Sequence, residues 1–447
     1  MTAKPNVEEL LAKAKKPSED ALRLHPFYRG KLEVTPKCQI RDCNDFSVWY
    51  TPGVAAPCRD IAAHADRVFA HTNKGNFVAI VSDGSRVLGL GDIGPHAALP
   101  VMEGKAILFK YLGGVDAFPI CLAAHEPEEI IQACKWLEPS FGAINLEDIA
   151  KPKCFTVLDR LRSEMVIPVW HDDQQGTAAV TLAGLINSLK IVGKARDKVR
   201  IVLIGAGAAN IAVGRVLIAA GFPPEKMIMV DSVGILHRGR ADLRTAGNET
   251  KWRMCEISNS EQRSGGIAAA LEGADACIAL AKSGPGVIKP EWVSRMANEA
   301  IVFACANPVP EIWPWEATQA GARIVATGRS DFPNQVNNSL GFPGIFRGVL
   351  DVAASAITDE MCIAAAEELA RCAQDGGLSD QSILPTMDNW QVFPREAAAV
   401  GLKAIEQGVA GKKLSREQLM EQATAIIRRA RAETKTLMEQ GLIAAAP

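Results

Sequence analysis

The sequence predicts an α/β fold in which parallel sheets alternate with helices and a helical segment closes the C-terminus. Three observations predict it. Short apolar runs alternate with stretches of helical period along most of the 447 residues. A glycine-rich turn, VRIVLIGAGAANIAVG from Val199, joins a β-branched strand to an alanine-rich helix. Two acidic pairs, Glu147-Asp148 in INLEDIA and Asp172-Asp173 in VWHDDQQGTA, each end a run that starts strongly apolar. A chain this long exceeds one core. The expected division is an N-terminal arm at 1–50, an α/β substrate- and metal-binding domain at 51–185, a Rossmann dinucleotide-binding domain at 186–350 and a C-terminal helical segment at 351–447.

In the arm, a short amphipathic helix is expected from Val7 to Lys15, then an extended HPFYRGKLEVTPK punctuated by proline and glycine. NFVAIVS and DAFPICL read as strands, PVMEGKAILFKYL and EEIIQACKWL as helices, and FGAINLED and VIPVWHDD as strands ending in acids. TAAVTLAGLINSLKIV reads as a helix whose Ala/Gly-rich face packs closely as it bridges to the second domain. VRIVLIG, KMIMVD, ADACIAL, AIVFACANP and ARIVATG follow as strands with helical spacers, the beat of a Rossmann domain. Beyond about residue 350 only helical patterns remain, and the last helix opens on a capping box at Ser415 and Gln418.

The bulk numbers exclude several function classes. A formal net charge of −2 offers no surface for nucleic acid or an acidic membrane. The eleven cysteines are odd in number, scattered and without a CxxC pair. That pattern reads as buried thiols of a reducing compartment, not as a disulfide framework or a zinc site. MTAKPNVEELLAKAKK has no apolar signal core, and no apolar run approaches membrane-spanning length. The expectation is a cytoplasmic enzyme.

In the glycine-rich turn, Gly205 permits the tight bend after the strand and Gly207 lets backbone approach a pyrophosphate. Ala208, Ala209 and Asn210 open the helix and complete the candidate cofactor contacts, with Asn210 in the place of the third glycine. Asp231 ends the next strand about twenty residues on, as the fingerprint requires. A carboxylate there accepts hydrogen bonds from ribose hydroxyls and favours NAD over NADP. His237 and Arg238 are the alternative, as holders of a 2′-phosphate. The bland reading is an ordinary β-α turn.

Carboxylates clustered at strand ends suit a hard cation, Mg²⁺ or Mn²⁺. Adjacent residues point opposite ways on a regular strand, so Glu147 and Asp148 bind together only if the strand has ended. The alternative is helix N-capping by Asp148 and Asp172. On the helix before them, Val101, Lys105, Leu108 and Leu112 share one stripe, which turns Lys105 toward apolar neighbours. Lost solvation would lower its pKa and suit it to proton transfer, whereas snorkelling to a wet rim would not. Tyr50, one of three tyrosines, precedes a Pro-Gly turn in VWYTPGVAAPC and so sits on a loop.

Taken in order, HPFYRGKLEV, YTPGVAAPC, SDGSRVLGLGDIGPHAALPVMEGKA, GVDAFPICL, INLEDIA, HDDQQGTA, GAGAAN, ANPVPE and NNSLGFPGIFRG closely resemble malic enzyme in its short prokaryotic form. The resemblance covers most of the chain. It implies that Tyr50 is the general acid toward the enol and Lys105 the general base that takes the malate hydroxyl proton. Glu147, Asp148 and Asp173 match the family's metal ligands, and Asp172 the acid beside the lysine. Arg86 matches a substrate-carboxylate arginine, while Asn307 and Asn338 match amides that contact substrate or nicotinamide. Asn210 and the bulky Val48-Trp49 pair depart from the family pattern. The implied reaction is oxidative decarboxylation of malate to pyruvate and CO₂ with NAD, or alternatively NADP, and Mg²⁺ or Mn²⁺. Rival readings are a dehydrogenase of another hydroxy acid such as tartrate, or a catalytically dead nucleotide-binding regulator. A homodimer is expected, because the arm is too thin to bury its own apolar residues.

Overall fold

Residues 7–447 are described by the structure, a computed structural model, with side chains from residue 16. The first helix, α1, spans Val7–Tyr28 and passes through Pro17 and Pro26. It is longer than expected, and the predicted extended segment begins as helix. Glu19 to Leu24 contains strong helix formers, and Lys16 pairs with Asp20 one turn on at 2.9 Å. The side chains that suggested the shorter helix, Val7 to Lys15, lie outside the described residues.

Strands β1 (Phe77–Ser82), β2 (Asp116–Cys121), β3 (Ala143–Leu146) and β4 (Val169–His171) form a parallel sheet in the order β2-β1-β3-β4. Helices α2 (Gly94–Gly113), α3 (Pro127–Leu137) and α4 (Lys153–Glu164) make the crossovers. Strand residues alternate between faces, so Val78 and Ile80 pack with Phe109 and Trp170, while Ala79 and Val81 pack with Ile130 and Leu158. Successive strands leave β1 on opposite sides, which opens a crevice between the carboxyl ends of β1 and β3.

Helix α5 (Thr177–Val192) is buried on nearly every side. A Cβ on its Gly184 would stand 3.3 Å from the Phe303 ring, so the small-residue face packs as closely as its composition suggested. The second sheet contains β5 (Ile201–Ile204), β6 (Met227–Val230), β7 (Ala276–Ala279), β8 (Ala300–Ala304) and β9 (Ala322–Thr327). It too is parallel, ordered β6-β5-β7-β8-β9, with α6 (Ala208–Ala219) following β5 and the switch point between β5 and β7.

Four helices complete the described chain: α7 (Phe342–Asp351), α8 (Asp359–Asp375), α9 (Val392–Glu406) and α10 (Arg416–Glu439). The capping box is present, Ser415 Oγ accepting from Gln418 N at 3.3 Å and Gln418 Oε1 from Ser415 N at 2.9 Å. Helix α7 returns to the first domain, where Phe342 and Phe346 pack on Phe109 with ring centroids 4.6 and 5.0 Å apart. Seven cysteines are buried thiols, but Cys38 and Cys43 of the arm and Cys58 just after it are exposed, which the pattern of buried thiols did not foresee. Among the described residues no helix is long and apolar enough to cross a membrane.

Helix α7 meets α9 through Gly348, where a Cβ would stand 2.3 Å from the backbone oxygen of Ala397. Gly348→Ala therefore forces the helices apart. Chemical denaturation should show a loss of about 1–3 kcal/mol; an unchanged midpoint would mean the contact relaxes freely.

Candidate active site

Strands β3 and β4 are in register at Leu146 and His171, so both acidic pairs leave the sheet side by side at its carboxyl edge. The strand ends there, and Asp148 turns into the left-handed region with φ 55°. One carboxylate oxygen from each of Glu147, Asp148 and Asp173 lies within 4.8 Å of the other two. Burial and then Asp173 push the Asp148 carboxyl up to about 7. Burial, opposed by Lys105 and reinforced by Asp172 and Asp173, raises Glu147 well above the usual range. Oδ2 of Asp148 is buried without a hydrogen-bond partner. Mutually repelling carboxylates and an orphaned oxygen fit a hard divalent cation.

Neither acid offered as a helix cap makes a capping bond. Asp172 accepts from Lys105 Nζ at 2.6 Å, from Trp170 Nε1 at 3.3 Å and from the Asn338 amide. Asp148 Oδ1 accepts from the backbone of Leu88 at 3.3 Å.

Lys105 enters from α2 and is 8% exposed. Its ammonium lies 2.6 Å from Asp172, 3.2 Å from Glu147 and 4.5 Å over the Phe342 ring. The expected fall in pKa is reversed in this cluster. Burial does pull the ammonium down, but Asp172 and Glu147 outweigh it and hold Lys105 above its ordinary value. Lys110, on another stripe of the same helix, goes to Asp116 at 2.9 Å.

The remaining candidates are distributed around this centre. The backbone N–H of Arg86 donates to Asp148 O at 3.0 Å, while its exposed guanidinium donates to Leu88 O at 2.6 Å. Asn307 follows β8, where a Cβ on Gly89 would meet its carbonyl at 3.1 Å and one on Gly328 its amide nitrogen at 2.9 Å. It thus stands between the two domains. Asn338 reaches Asp172 from the turn before α7. Tyr50 is not brought in: it is 71% exposed and follows the one-turn helix Phe46–Trp49.

At the nucleotide turn Gly205 has φ 98°, and a Cβ there would stand 2.6 Å from Leu280 O at the end of β7. Only glycine fits that approach. Gly207 begins α6 with open space where a Cβ would project, room suited to a pyrophosphate at a helix N-terminus. Ala208 and Ala209 form the first turn. Asn210 is turned inward, its amide donating to Ile204 O at 2.8 Å and Ile278 O at 3.4 Å. The unusual residue therefore ties helix to sheet.

Asp231 accepts from Val233 and Gly234 backbone N–H at 2.9 and 3.1 Å. The basic partners are Arg240, 3.1 Å from each carboxylate oxygen, and Lys251 at 3.2 Å. Burial would raise Asp231, yet Arg240, those N–H groups and Lys251 bring it down to about 2. Arg238, the arginine singled out from sequence, instead donates to Glu256 O at 3.0 Å. Gly239 lies in the turn between the two arginines, and a Cβ there would stand 2.8 Å from the His237 ring.

Sequence reasoning also missed Asn145, whose amide donates to Glu147 Oε2 at 2.9 Å, although two-residue spacing on a strand announces it. Glu311 was missed as well. Fully buried, it accepts from Ala281 and Ala306 N–H at 2.8 and 3.0 Å and so joins the ends of β7 and β8 just behind Asn307. Nothing in PVPEIW marks it.

Comparison with known proteins points to one family. The family model described as malic enzyme, N-terminal domain, matches residues 29–127 and 123–162, and the malic enzyme, NAD binding domain, matches 174–405. The NAD-dependent malic enzyme of Geobacillus stearothermophilus is 48% identical over 86% of this chain and 78% of its own length. The NADP-dependent malic enzyme of Halomonas elongata is 41% identical over 85% and 92%. The crystal structure of Entamoeba histolytica malic enzyme superposes with a TM-score of 0.96 at 46% identity, covering 100% of this chain and 93% of that one.

Asp173→Asn tests the carboxylate cluster. The amide oxygen keeps an acceptor for Asp148 N, which Asp173 holds at 3.0 Å, and one repelling charge disappears. In calorimetry without metal the variant should be as stable as the parent or more so. Mn²⁺ should raise the melting temperature of the parent only. An equal Mn²⁺ response in both would remove Asp173 from the ligand set.

Proposed function

The chain belongs to the malic enzyme family, and we propose that it converts L-malate to pyruvate and CO₂ with reduction of NAD or NADP. The observation that carries this reading is the buried Lys105–Asp172 pair set against the three-carboxylate cluster. Bound there, a divalent cation supplies Lewis acidity toward the hydroxyl and carboxylate oxygens of a hydroxy acid. A nicotinamide dinucleotide at the β5 turn supplies the hydride acceptor.

The chain's own residues handle the protons. Lys105 can accept the C2 hydroxyl proton only after giving one up, and Asp172, 2.6 Å away, is placed to receive it. Trp170 and Asn338 hold Asp172 in that position. Arg86 holds the far carboxylate of the substrate, a task suited to a guanidinium. Asn307 and Asn338 orient substrate and nicotinamide. Once CO₂ has left, Tyr50 protonates C3 of enolpyruvate. A catalytically dead scaffold would have no chemical use for a lysine buried among acids, which disfavours the regulator reading.

Cofactor choice follows from Asp231. An unbalanced carboxylate would repel a 2′-phosphate by roughly 1–3 kcal/mol. Arg240 and Lys251 balance it, so the expected NAD preference shrinks and both cofactors are used.

Tyr50 and its neighbours argue for a homodimer. Leu22, Val34, Val48 and Trp49 are exposed along with it, an apolar surface that a second copy of the arm would cover. Tyr50 then acts in the site of the partner copy.

Purified protein should form pyruvate from malate with Mn²⁺ and either cofactor, kcat/KM differing by less than about tenfold. Lys105→Ala and Tyr50→Phe should each lose about 10²–10⁴-fold. Unfolded together and refolded as a mixture, the two inactive variants should recover roughly a quarter of wild-type activity, because half the dimers carry one intact site. No recovery would place Tyr50 in its own chain's site, and no pyruvate from the wild type would end the reading altogether.

A further inference from the structure

Helices α8, α9 and α10, with the loop at 376–391, line an open-sided cavity of about 460 Å³ that shares no residue with the carboxylate cluster, its wall including Asp375, Asn389, Trp390, Arg395 and Arg428. The charges around it do not balance. Glu368, almost fully buried, accepts from three guanidinium groups: Arg371 at 2.7 Å, Arg395 at 2.8 Å and Arg416 at 3.3 Å. Arg395 also donates to the exposed Asp375 at 2.6 Å. Arg428, in the wall, stands 5.5 Å from the Trp390 ring centre and among the described residues has no carboxylate partner, whereas Arg431, outside the wall, stacks on Tyr111 at 4.2 Å and lies 6.0 Å from Trp390. A guanidinium stacked on an aromatic wall, with the Arg395 guanidinium beside it in the same wall, is suited to an oxyanion.

Two contacts lead from this cavity to the catalytic side chains. In its wall, the loop that carries Asn389 and Trp390 also carries Met387, whose sulfur accepts from Ser339 Oγ at 3.0 Å. Ser339 follows Asn338, which holds Asp172. The second contact runs through α9. Arg395 faces the cavity, whereas its neighbour Glu396 is buried with both carboxyl oxygens unpartnered, against the first turn of α7. A Cβ on Gly344 would stand 2.1 Å from Glu396 Oε2, so α9 cannot shift without pressing on α7.

We propose that this cavity is an effector site for a small metabolite bearing carboxylate or phosphate groups, and that its occupancy is transmitted to Asn338 through the Met387 loop. An anion there would satisfy Arg428 and share Arg395 with Glu368. Anchoring Trp390 and Asn389 would then fix the Met387 contact and with it the turn that carries Asn338.

The test is titration calorimetry on the full-length enzyme without divalent cation, using citrate for carboxylates and inorganic pyrophosphate for phosphates. Arg428→Glu serves as control, since the residue is exposed and lies outside the catalytic groups, so basal turnover should be unchanged. At least one anion should bind the wild type, with affinity falling about tenfold or more in Arg428→Glu. Which anion binds identifies the chemistry of the effector. Hydrogen exchange should slow on binding in peptides covering 386–391 and 336–340, in the wild type alone. Binding of neither anion, or equal binding to both proteins, would overturn the site. Protection confined to 386–391 would overturn the transmission to Asn338.

Discussion

Taking the ammonium of Lys105 out of water costs several kcal/mol unless its charge is met at short range, and the way it is met dictates much of the surrounding structure. Asp172 and Glu147 meet it from the ends of two adjacent strands, β4 and β3. Those carboxylates need support in turn. Asn145 steadies Glu147, while Trp170 and Asn338 steady Asp172. Phe342 covers the lysine from above. A helix, two strand ends and the turn before α7 are therefore held together by one cation. Because the carboxylates outnumber that cation, the cluster retains negative charge for which a divalent ion is the natural counterweight.

The two halves solve the placement problem in the same way. Each parallel sheet reverses its winding once, and each reversal opens a crevice at the carboxyl ends of its strands. In the first sheet the crevice takes the acids and the Arg86 loop. In the second it takes the nucleotide turn, where Gly205 passes against Leu280 O too closely for any side chain. Asn307 touches the Gly89 loop, so the two crevices face one another across a shared cleft. Glu311, behind Asn307, fixes the strand ends on which that cleft depends.

Strands and helices were legible because their signals are local. Short continuous apolar runs mark every strand of both sheets, most of which are buried on both faces, and the Ser415 capping box forms as its residues indicate. The acidic pairs were legible because consecutive acids closing an apolar strand have few structural uses. What could not be read depends on distant partners. The raised pKa of Lys105 is set by residues 42 to 67 positions away in sequence. Whether Arg238 or Arg240 returns to Asp231 depends on the path of the chain after β6, which composition does not specify. The length of α1 was underestimated because proline weighed more heavily than the helix formers around it. The exposure of Tyr50 is a property of the arm's packing, which local patterns do not report.

The central claim is that Lys105 remains on Asp172 while Glu147, Asp148 and Asp173 converge on a single cation. Anomalous diffraction from crystals grown with Mn²⁺ tests it directly. The account predicts one strong peak bounded by those three carboxylates, with the lysine still paired to Asp172. A peak elsewhere, or an empty cluster with Lys105 turned away from Asp172, would contradict it.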